Sequence, residues 1–562
     1  MSLPEPNSNP HNSHKERMWC TCLLAATALN CLLQIAWFWR FRAHNITEDG
    51  IAYVGLARHL VDGNVKLSLH GYWSPLTSWI IALSAVFSRN FTLLGRLVTI
   101  ASFLLCLPFL YHLTLKLWRS KAAAALAVFW FSVGRALVAT AVGSILADFV
   151  LTVCVLLYFS LLLDALRRNE PGSWARAGAA HALAFLAKAI AMPWLSISSA
   201  IAVLWQNPRS PRRLVSSLLL AFLFPGIVWF GWGMALRTKY GVFTTGYQLR
   251  GNLIINWRRH LSHHPRGDDL AFVEVPSLYD NYMVDEPWSS LQSFHLQRSA
   301  LLIMIMETEI QNLPSALKQT SILLTPAGIL ALAVMLLLLI RDRRHAAETA
   351  FALIACLSSL ALIVAYCMLV FDGRYVIPIA PVLIAISCPL VLPADVTAGA
   401  PRVSAGLQKA GLGLLAGSVV FFAVYWASPF RTVDRDFEAS CYQAASVLRN
   451  AEQTGTLVSI GDGPYPEHGV GFEMGPYVAY LAGWRLVGGN AALPADAGAD
   501  TLADQALAAK ADAVAVWGSA ADPAYVDIAA KIRLAPQLVS ARPIADPYKG
   551  EVGTLFLFRR NR

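Results

Sequence analysis

Two acids, Glu48 and Asp49, stand side by side in the stretch NITEDGIAYVGLARHLVDGN (45–64), directly after an apolar run ending in AWFW. A carboxylate just outside a bilayer can take a proton from a hydroxyl or help hold a divalent cation. A plainer reading competes. Asn45 as N-cap with Glu48 three residues on makes a capping box, and acids in a first turn complement the helix dipole. Capping accounts for Glu48 better than for Asp49, so Asp49 is the sharper chemical candidate. The remaining unusual polar groups sit at the edges of apolar runs. Asp148 opens one run, Lys188 closes another, and Asp372 with Arg374 lies between two more. A charge at the centre of a spanning helix costs about 2.5–3.5 kcal/mol on insertion scales, and rim positions avoid that cost.

A second cluster is weaker. NWRRHLSHHPRGDD (256–269) gathers His260, His263, His264, Asp268 and Asp269. His260 and His264, at i and i+4, could share a helix face and bind zinc. There is no Glu at the HExxH position, and Pro265 follows at once. The stretch reads as a solvated basic loop, and loops this long often cover active sites. Its Arg250, Arg258 and Arg259 are suited to meeting a phosphate.

The elements that must position these groups are membrane helices. Of 562 residues 56% are hydrophobic and 14% charged, with mean hydropathy +0.50, against about 25% charged in soluble proteins. The net charge of +10 sits mostly in short loops, without the basic–aromatic stripe that a nucleic acid would need. Cysteines fall mainly in apolar runs, with no CxxC and no disulfide framework. A span takes roughly 20 apolar residues. Candidate crossings are 18–39, 93–117, 121–141, 146–166, 174–190, 191–206, 214–236, 321–340, 347–370, 375–393 and 410–428. The segment 75–88 is too short and suits an interfacial helix. Counted that way, eleven crossings place KLWRSK, RRNEPGSWAR, NPRSPRR and RDRRH on the side of the N-terminal HKER, as positive-inside topology expects. The first loop (40–92), the loop 237–320 and everything after 429 then share the outer face. So do Asp49, Asp148, Lys188 and Arg374.

Within the first loop, Ile51, Val54, Ala57 and Leu60 recur at helical spacing, so 47–61 predicts an amphipathic helix in the interface. Residues 1–17 are polar and expected to be a disordered cytoplasmic tail. The run after them is too long for a signal peptide. Residues 430–562 alternate helix-like pieces (DFEASCYQAASVLRNAEQ, ADTLADQALAAKA, DPAYVDIAAKIRLA) with strand-like ones (TLVSIGD, DAVAVWG, QLVSARPI, TLFLFRR). That pattern predicts a small α/β domain with a mostly parallel sheet. It has no Gly-rich phosphate loop.

An opening span, then EDGIAYVGLARHLVDGN, then GYWSPLTSW resembles bacterial membrane glycosyltransferases of the GT-C fold. These are relatives of the protein O-mannosyltransferases and of the aminoarabinose transferase that modifies lipid A. In those enzymes the first outer loop carries an acidic pair, a Tyr, an Arg-containing helix ending in Gly, and then a Pro-containing segment. Here these would be Glu48-Asp49, Tyr53, Arg58, Gly63 and Ser74-Pro75-Leu76, with Asp148 and Arg374-Tyr375 later in the chain. The first acid is Glu rather than the commoner Asp.

The resemblance implies transfer of a sugar from a polyprenyl-phosphate donor to a cell-envelope glycan, lipid or protein, on the periplasmic face of an inner membrane. Asp49 is expected as general base with Glu48 its neighbour. Asp148 would orient the acceptor or a basic partner, and Arg374, Lys188 and Arg58 would meet the donor phosphate. Tyr53, Tyr72, Trp73 and Tyr375 are expected at the substrate. Plainer roles stay open: Lys188 can snorkel, Arg374 can pair with Asp372, Asp148 can cap its helix, and the aromatics can form an interfacial belt. The acidic pair can serve equally as base or as ligand of a divalent metal, and the preferred mechanism needs no metal. A transporter or flippase would show repeated halves and broken polar helices at the midplane, which the sequence lacks. A membrane protein with an outer ligand-binding domain would leave the acids as caps.

Overall fold

A computed structural model describes residues 10–39, 48–246, 298–341, 346–368, 373–392, 438–451, 454–461, 471–490, 498–546 and 550–559, with 413 and 417 singly. Outside them fall Asn45, Asp372, the His-rich stretch 256–269 and all of the expected crossing 410–428 but 413 and 417. Glu48 is helical, and its side chain lies outside the description.

The helices of the membrane part run α1 (Pro10–Phe38), α2 (Glu48–Val61), α3 (Val65–Ser68), α4 (Pro75–Ser84), α5 (Phe91–Trp118), α6 (Lys121–Ser132) and α7 (Arg135–Gly143). They continue as α8 (Asp148–Arg168), α9 (Pro171–Ala187), α10 (Ala191–Gln206), α11 (Pro211–Tyr240), α12 (Arg298–Arg341), α13 (Ala346–Cys367) and α14 (Ala380–Ser387). Because α1 starts at Pro10, the polar stretch expected to be disordered through 17 is helical from residue 10.

Among the described residues five helices are long and apolar enough to cross a membrane, or six if the bent pair α6–α7 counts as one. Helix length and composition thus account for five or six of the expected crossings. The bend of 60° within the expected span 121–141 has a local cause. Gly134 follows the end of α6, and Asn30 of α1 donates to the freed Ser132 carbonyl at 2.8 Å. The pair α9 and α10 breaks at Lys188–Ile190 as the sequence suggests. Its halves have 17 and 16 residues, and at about 1.5 Å per residue neither alone matches a hydrocarbon core of about 30 Å. Pro378, Pro381 and Pro389 fragment 375–393 into a 3₁₀ turn (Gly373–Val376), α14, and a second 3₁₀ turn (Cys388–Val391).

The C-terminal unit comprises α15 (Glu438–Ala451), β1 (Thr456–Ile460), α16 (Gly471–Ala482), β2 (Arg485–Asn490), α17 (Gly498–Ala508), β3 (Ala513–Trp517), α18 (Pro523–Arg533), β4 (Leu538–Asp546) and β5 (Gly550–Phe558). Strand order is β2-β1-β3-β5-β4. β1 pairs parallel with β2 and β3, while β5 is antiparallel to both β3 and β4. The sheet is therefore mixed rather than mostly parallel, because β4 and β5 form a hairpin with no helix between them.

This unit packs on residues between α1 and the start of α5. Ile51, Tyr53 and Ala57 of α2, Trp73, and Phe91 and Leu94 of α5 share one buried cluster with Cys441, Tyr477, Trp484 and Trp517. The Thr92 and Tyr480 hydroxyls share a hydrogen bond. Both α2 and the start of α5 thus meet the same unit, and α4, between them, has ten residues. Its length of about 15 Å cannot span the bilayer, which agrees with an interfacial helix at 75–88.

Candidate active site

The site forms where five segments end together: the start of α2, the turn 69–75, the start of α8, the α9–α10 break and the 3₁₀ turn 373–376. Close packing sets the first of these. At Gly95 of α5 an added Cβ would lie 2.9 Å from Ile145 and 3.2 Å from Val54, so glycine lets α2 and the α7–α8 turn close on α5. Beside it, buried Arg96 donates to the Val142 and Gly143 carbonyls at 3.2 and 2.6 Å. A cation at the C-terminal end of α7 satisfies orphan carbonyls and the dipole. That anchors the turn from which Asp148 starts α8.

The turn 69–75 is held from the other side. Lys239 near the end of α11 donates to the Leu69 carbonyl at 2.8 Å, and the Gly71 N–H donates to the Tyr240 hydroxyl at 3.2 Å. Ser74 Oγ accepts the Ala189 N–H at 3.0 Å, tying the turn to the α9–α10 break. Pro75 then begins α4 with its fixed φ suited to a first helical position.

Two ion pairs occupy this frame. Asp49 Oδ2 lies 2.7 Å from Arg374 Nη1, while Oδ1 accepts the Trp73 indole N–H at 2.8 Å. Asp148 Oδ1 lies 2.8 Å from Lys188 Nζ, and its side chain is 2% exposed. Tyr375 joins the two pairs, with the Lys188 ammonium 4.5 Å from its ring centroid and the Arg374 guanidinium carbon at 5.5 Å. Tyr366, at the end of α13, stacks on Tyr375 at 4.0 Å and 15°. Cation–π contacts of this kind strengthen with desolvation. Burial pushes the Asp49 carboxyl up, but Arg374, the Trp73 hydrogen bond and Lys188 outweigh it and hold its pKa below the usual carboxylate value. Tyr53, one turn along α2, is buried, and burial with the Asp49 charge pushes its phenol pKa up.

Most expected residues therefore converge: Asp49, Asp148, Lys188, Arg374, Trp73, Tyr53 and Tyr375. Trp73 is 3% exposed and serves Asp49, so it is neither a belt residue nor an open sugar platform. Tyr72 packs edge-on to Trp73 at 5.1 Å. Arg58 does not converge. It faces Asp62 at 3.8 Å and Phe91 at 5.9 Å, because a separation of nine residues puts it on the opposite side of α2 from Asp49. Arg374 has Asp49 as its carboxylate partner. Tyr366 was not anticipated; it sits inside the unbroken apolar run ALIVAYCMLVF (361–371), and nothing local marks it. Among the described residues no three His, Cys, Asp or Glu side chains gather as for a metal ion.

Residues 73–232 match the family described as dolichyl-phosphate-mannose-protein mannosyltransferase. The match opens at Trp73 and takes in Pro75, Asp148 and Lys188. Over that stretch, under a third of its length, the chain is similar to this family. The chain also resembles two solved structures of ArnT from Cupriavidus metallidurans. The apo form has 13% identity and TM-score 0.49, covering 94% of this chain and 97% of that one. The form bound to undecaprenyl phosphate has 12% identity and TM-score 0.49, covering 96% and 97%. No curated protein matches the chain.

Proposed function

We propose that this protein is a glycosyltransferase that moves a sugar from a polyprenyl-phosphate carrier to a hydroxyl of a cell-envelope glycan, lipid or protein at the outer face of a bacterial inner membrane. The observation that carries this reading is Asp49 held between Trp73 and Arg374, beside a second cation at Lys188. A sugar phosphate needs an acid–base group for the acceptor and cations for the leaving phosphate, and the rim provides both. The matched family is named for a dolichyl-phosphate sugar, itself a polyprenyl phosphate. Loop charge favours the outer face for this rim.

The two pairs are neutral together, two carboxylates against two cations. An arriving phosphate competes with Asp49 for Arg374, whose fork suits phosphate as well as carboxylate. Once Arg374 turns to phosphate, Asp49 keeps only the Trp73 donor and becomes the stronger base. It then takes the acceptor hydroxyl proton as the acceptor oxygen bonds to the sugar's anomeric carbon. The carbon–oxygen bond to phosphate breaks with its electron pair on the phosphate, and the configuration inverts. Arg374 stabilises that charge where it develops, and Lys188 lends its field. Asp148 keeps Lys188 charged and in place. The packing of the C-terminal unit against α2 and the start of α5 supports acceptor binding next to that unit.

Sugar transfer from a panel of radiolabelled polyprenyl-phosphate sugars, by membranes holding wild type or Asp49→Asn, tests this directly. The expected loss is about 10²–10⁴-fold at equal expression. Robust transfer by Asp49→Asn would return that acid to a helix-capping role, and sensitivity to a chelator would move it to metal binding.

A further inference from the structure

His70 precedes the GYWSP motif and has no part in the transfer chemistry described above. It is 2% exposed. Its Nδ1 accepts the backbone N–H of Tyr72 at 2.9 Å and of Trp73 at 3.4 Å. A ring nitrogen that accepts carries no proton, so the neutral ring bears its hydrogen on Nε2. Burial, and then the charge of Lys239, push the His70 pKa down to about 3, which keeps Nδ1 an acceptor throughout the neutral range. The ring centroid lies 4.6 Å from that of Trp73, and Trp73 in turn donates to Asp49 Oδ1 at 2.8 Å.

The other edge of the ring offers a rival role. Buried Nε2 has no hydrogen-bond partner among the described residues, and His70 lines a small cavity with Ser74, Phe185, Trp232 and Thr245. That cavity has room for about one water molecule, far too little for a sugar ring. The ring's connections to the site run through Nδ1.

We propose that His70 is a positioning residue: its Nδ1 fixes the 70–74 turn so that the Trp73 indole is presented to Asp49. Without that acceptor two amides lose their buried partner, the turn relaxes, and the indole leaves Oδ1. Asp49 is then steered by Arg374 alone. Only the catalytic consequence rests on Asp49 being the base; the positioning does not.

The test uses the full chain in detergent micelles with nitrogen-15-labelled tryptophan. The Trp73 indole signal is assigned by its loss in Trp73→Phe. Asn puts a carbonyl oxygen near the place of Nδ1, whereas Gln puts its amide near Nε2. In His70→Gln the Trp73 signal is expected to move to its position in Asp49→Ala, which has no acceptor there, and in His70→Asn to stay. Transfer by His70→Gln should fall about tenfold to a hundredfold in kcat, the scale of losing a hydrogen bond to a charged group. Transfer by His70→Asn should stay within about threefold, the scale of half a typical neutral hydrogen bond. His70→Gln combined with Trp73→Phe should be no slower than Trp73→Phe alone, since both act through one contact.

An unmoved indole signal in His70→Gln overturns the proposal, as does additivity in the double variant. So does the reverse pattern, with Gln active and Asn inactive, which would assign the role to Nε2. If His70→Gln does not fold, a displaced Trp73 signal in folded His70→Asn overturns it, and an undisplaced one supports it. A signal that moves as expected while Asp49→Asn transfers normally would leave the positioning intact and remove Asp49 as base.

Discussion

Asp49 meets two donors before any substrate arrives, and this fixes the sign of its pH behaviour. Its pKa in the folded protein lies below the ordinary value, about 3.9 in an unfolded chain. A depressed pKa contributes stability that is present above the unfolded value and is lost as pH falls through the folded one. The Asp49–Arg374 contact thus supports the fold at neutral pH and fails only in strong acid. Activity adds a second, more informative shift. kcat/KM reports the free enzyme, with Arg374 on Asp49, and kcat the loaded one. If phosphate takes Arg374, the acid limb of kcat lies at higher pH than that of kcat/KM. Paired pH profiles on one donor check this, and coincident limbs would mean that Arg374 stays on Asp49 through turnover. Arg374→Gln should lift the kcat/KM limb towards the kcat limb. It should also weaken donor binding about tenfold to a hundredfold, the scale of a lost charge-assisted hydrogen bond. In the sequence, Asp49 stands out over Glu48 only through its neighbour's better fit to capping. That Arg374 is its partner was not legible there, since most of the chain separates them and the nearer Asp372 gave a simpler pairing. The misassignment of Arg58 was avoidable, because helical phase alone puts it opposite Asp49.

At the scale of elements, the site is a set of helix ends held by polar stitches, and those stitches are where stability and function meet. Asp148 starts α8 and Lys188 ends α9, so their contact at 2.8 Å locks two helices that carry the rim. Removing one partner of a buried pair leaves an uncompensated charge and costs about 3–5 kcal/mol. Asp148→Asn and Lys188→Met are each expected to lower the unfolding free energy in micelles by that order, read from denaturant titrations. The double variant Asp148→Leu with Lys188→Met should recover much of the stability while staying inactive. Recovery of activity as well would show that the pair only braces the helices. The periodicity of 47–61 and the break at KAIAMP were readable because local sequence decides them. β2 (RLVGGN) was missed because two glycines lower its strand preference, and α16 because Gly475 and Pro476 look like a turn. Tertiary packing overrides both: α16 lies over β1, and β2 completes the parallel edge. Trp73 was misjudged for a related reason. An aromatic near an interface normally faces lipid headgroups, and only the fold reveals the acid beside it.

For the whole molecule, the seating of the C-terminal unit on α2 and the start of α5 is a topological constraint as well as a packing fact. A buried cluster shared by α2, the start of α5, α15, α16 and the sheet places the first loop and residues 438–559 on one side of the membrane. The number of crossings between Thr92 and Glu438 must then be even. One crossing before the loop and ten after it, as loop charge suggests, meets that condition; counting 75–88 as a further crossing would put α2 and Thr92 on opposite sides, although both touch α16 or its neighbours. Parity is thus set by contact, independently of the Lys and Arg count in the loops. The two lines can be tested separately. A phosphatase that works only outside the cytoplasm, inserted between Asp62 and Gly63 or fused after Arg562, should be active at both sites, and inactive when fused before Met1. Activity at one of the first two sites alone would break the packing that joins the C-terminal unit to the loop, and with it the placement of acceptor binding beside Asp49. Activity at neither, with activity at the N-terminus, would keep the packing and reverse the membrane orientation, moving the transfer reaction to the cytoplasmic face.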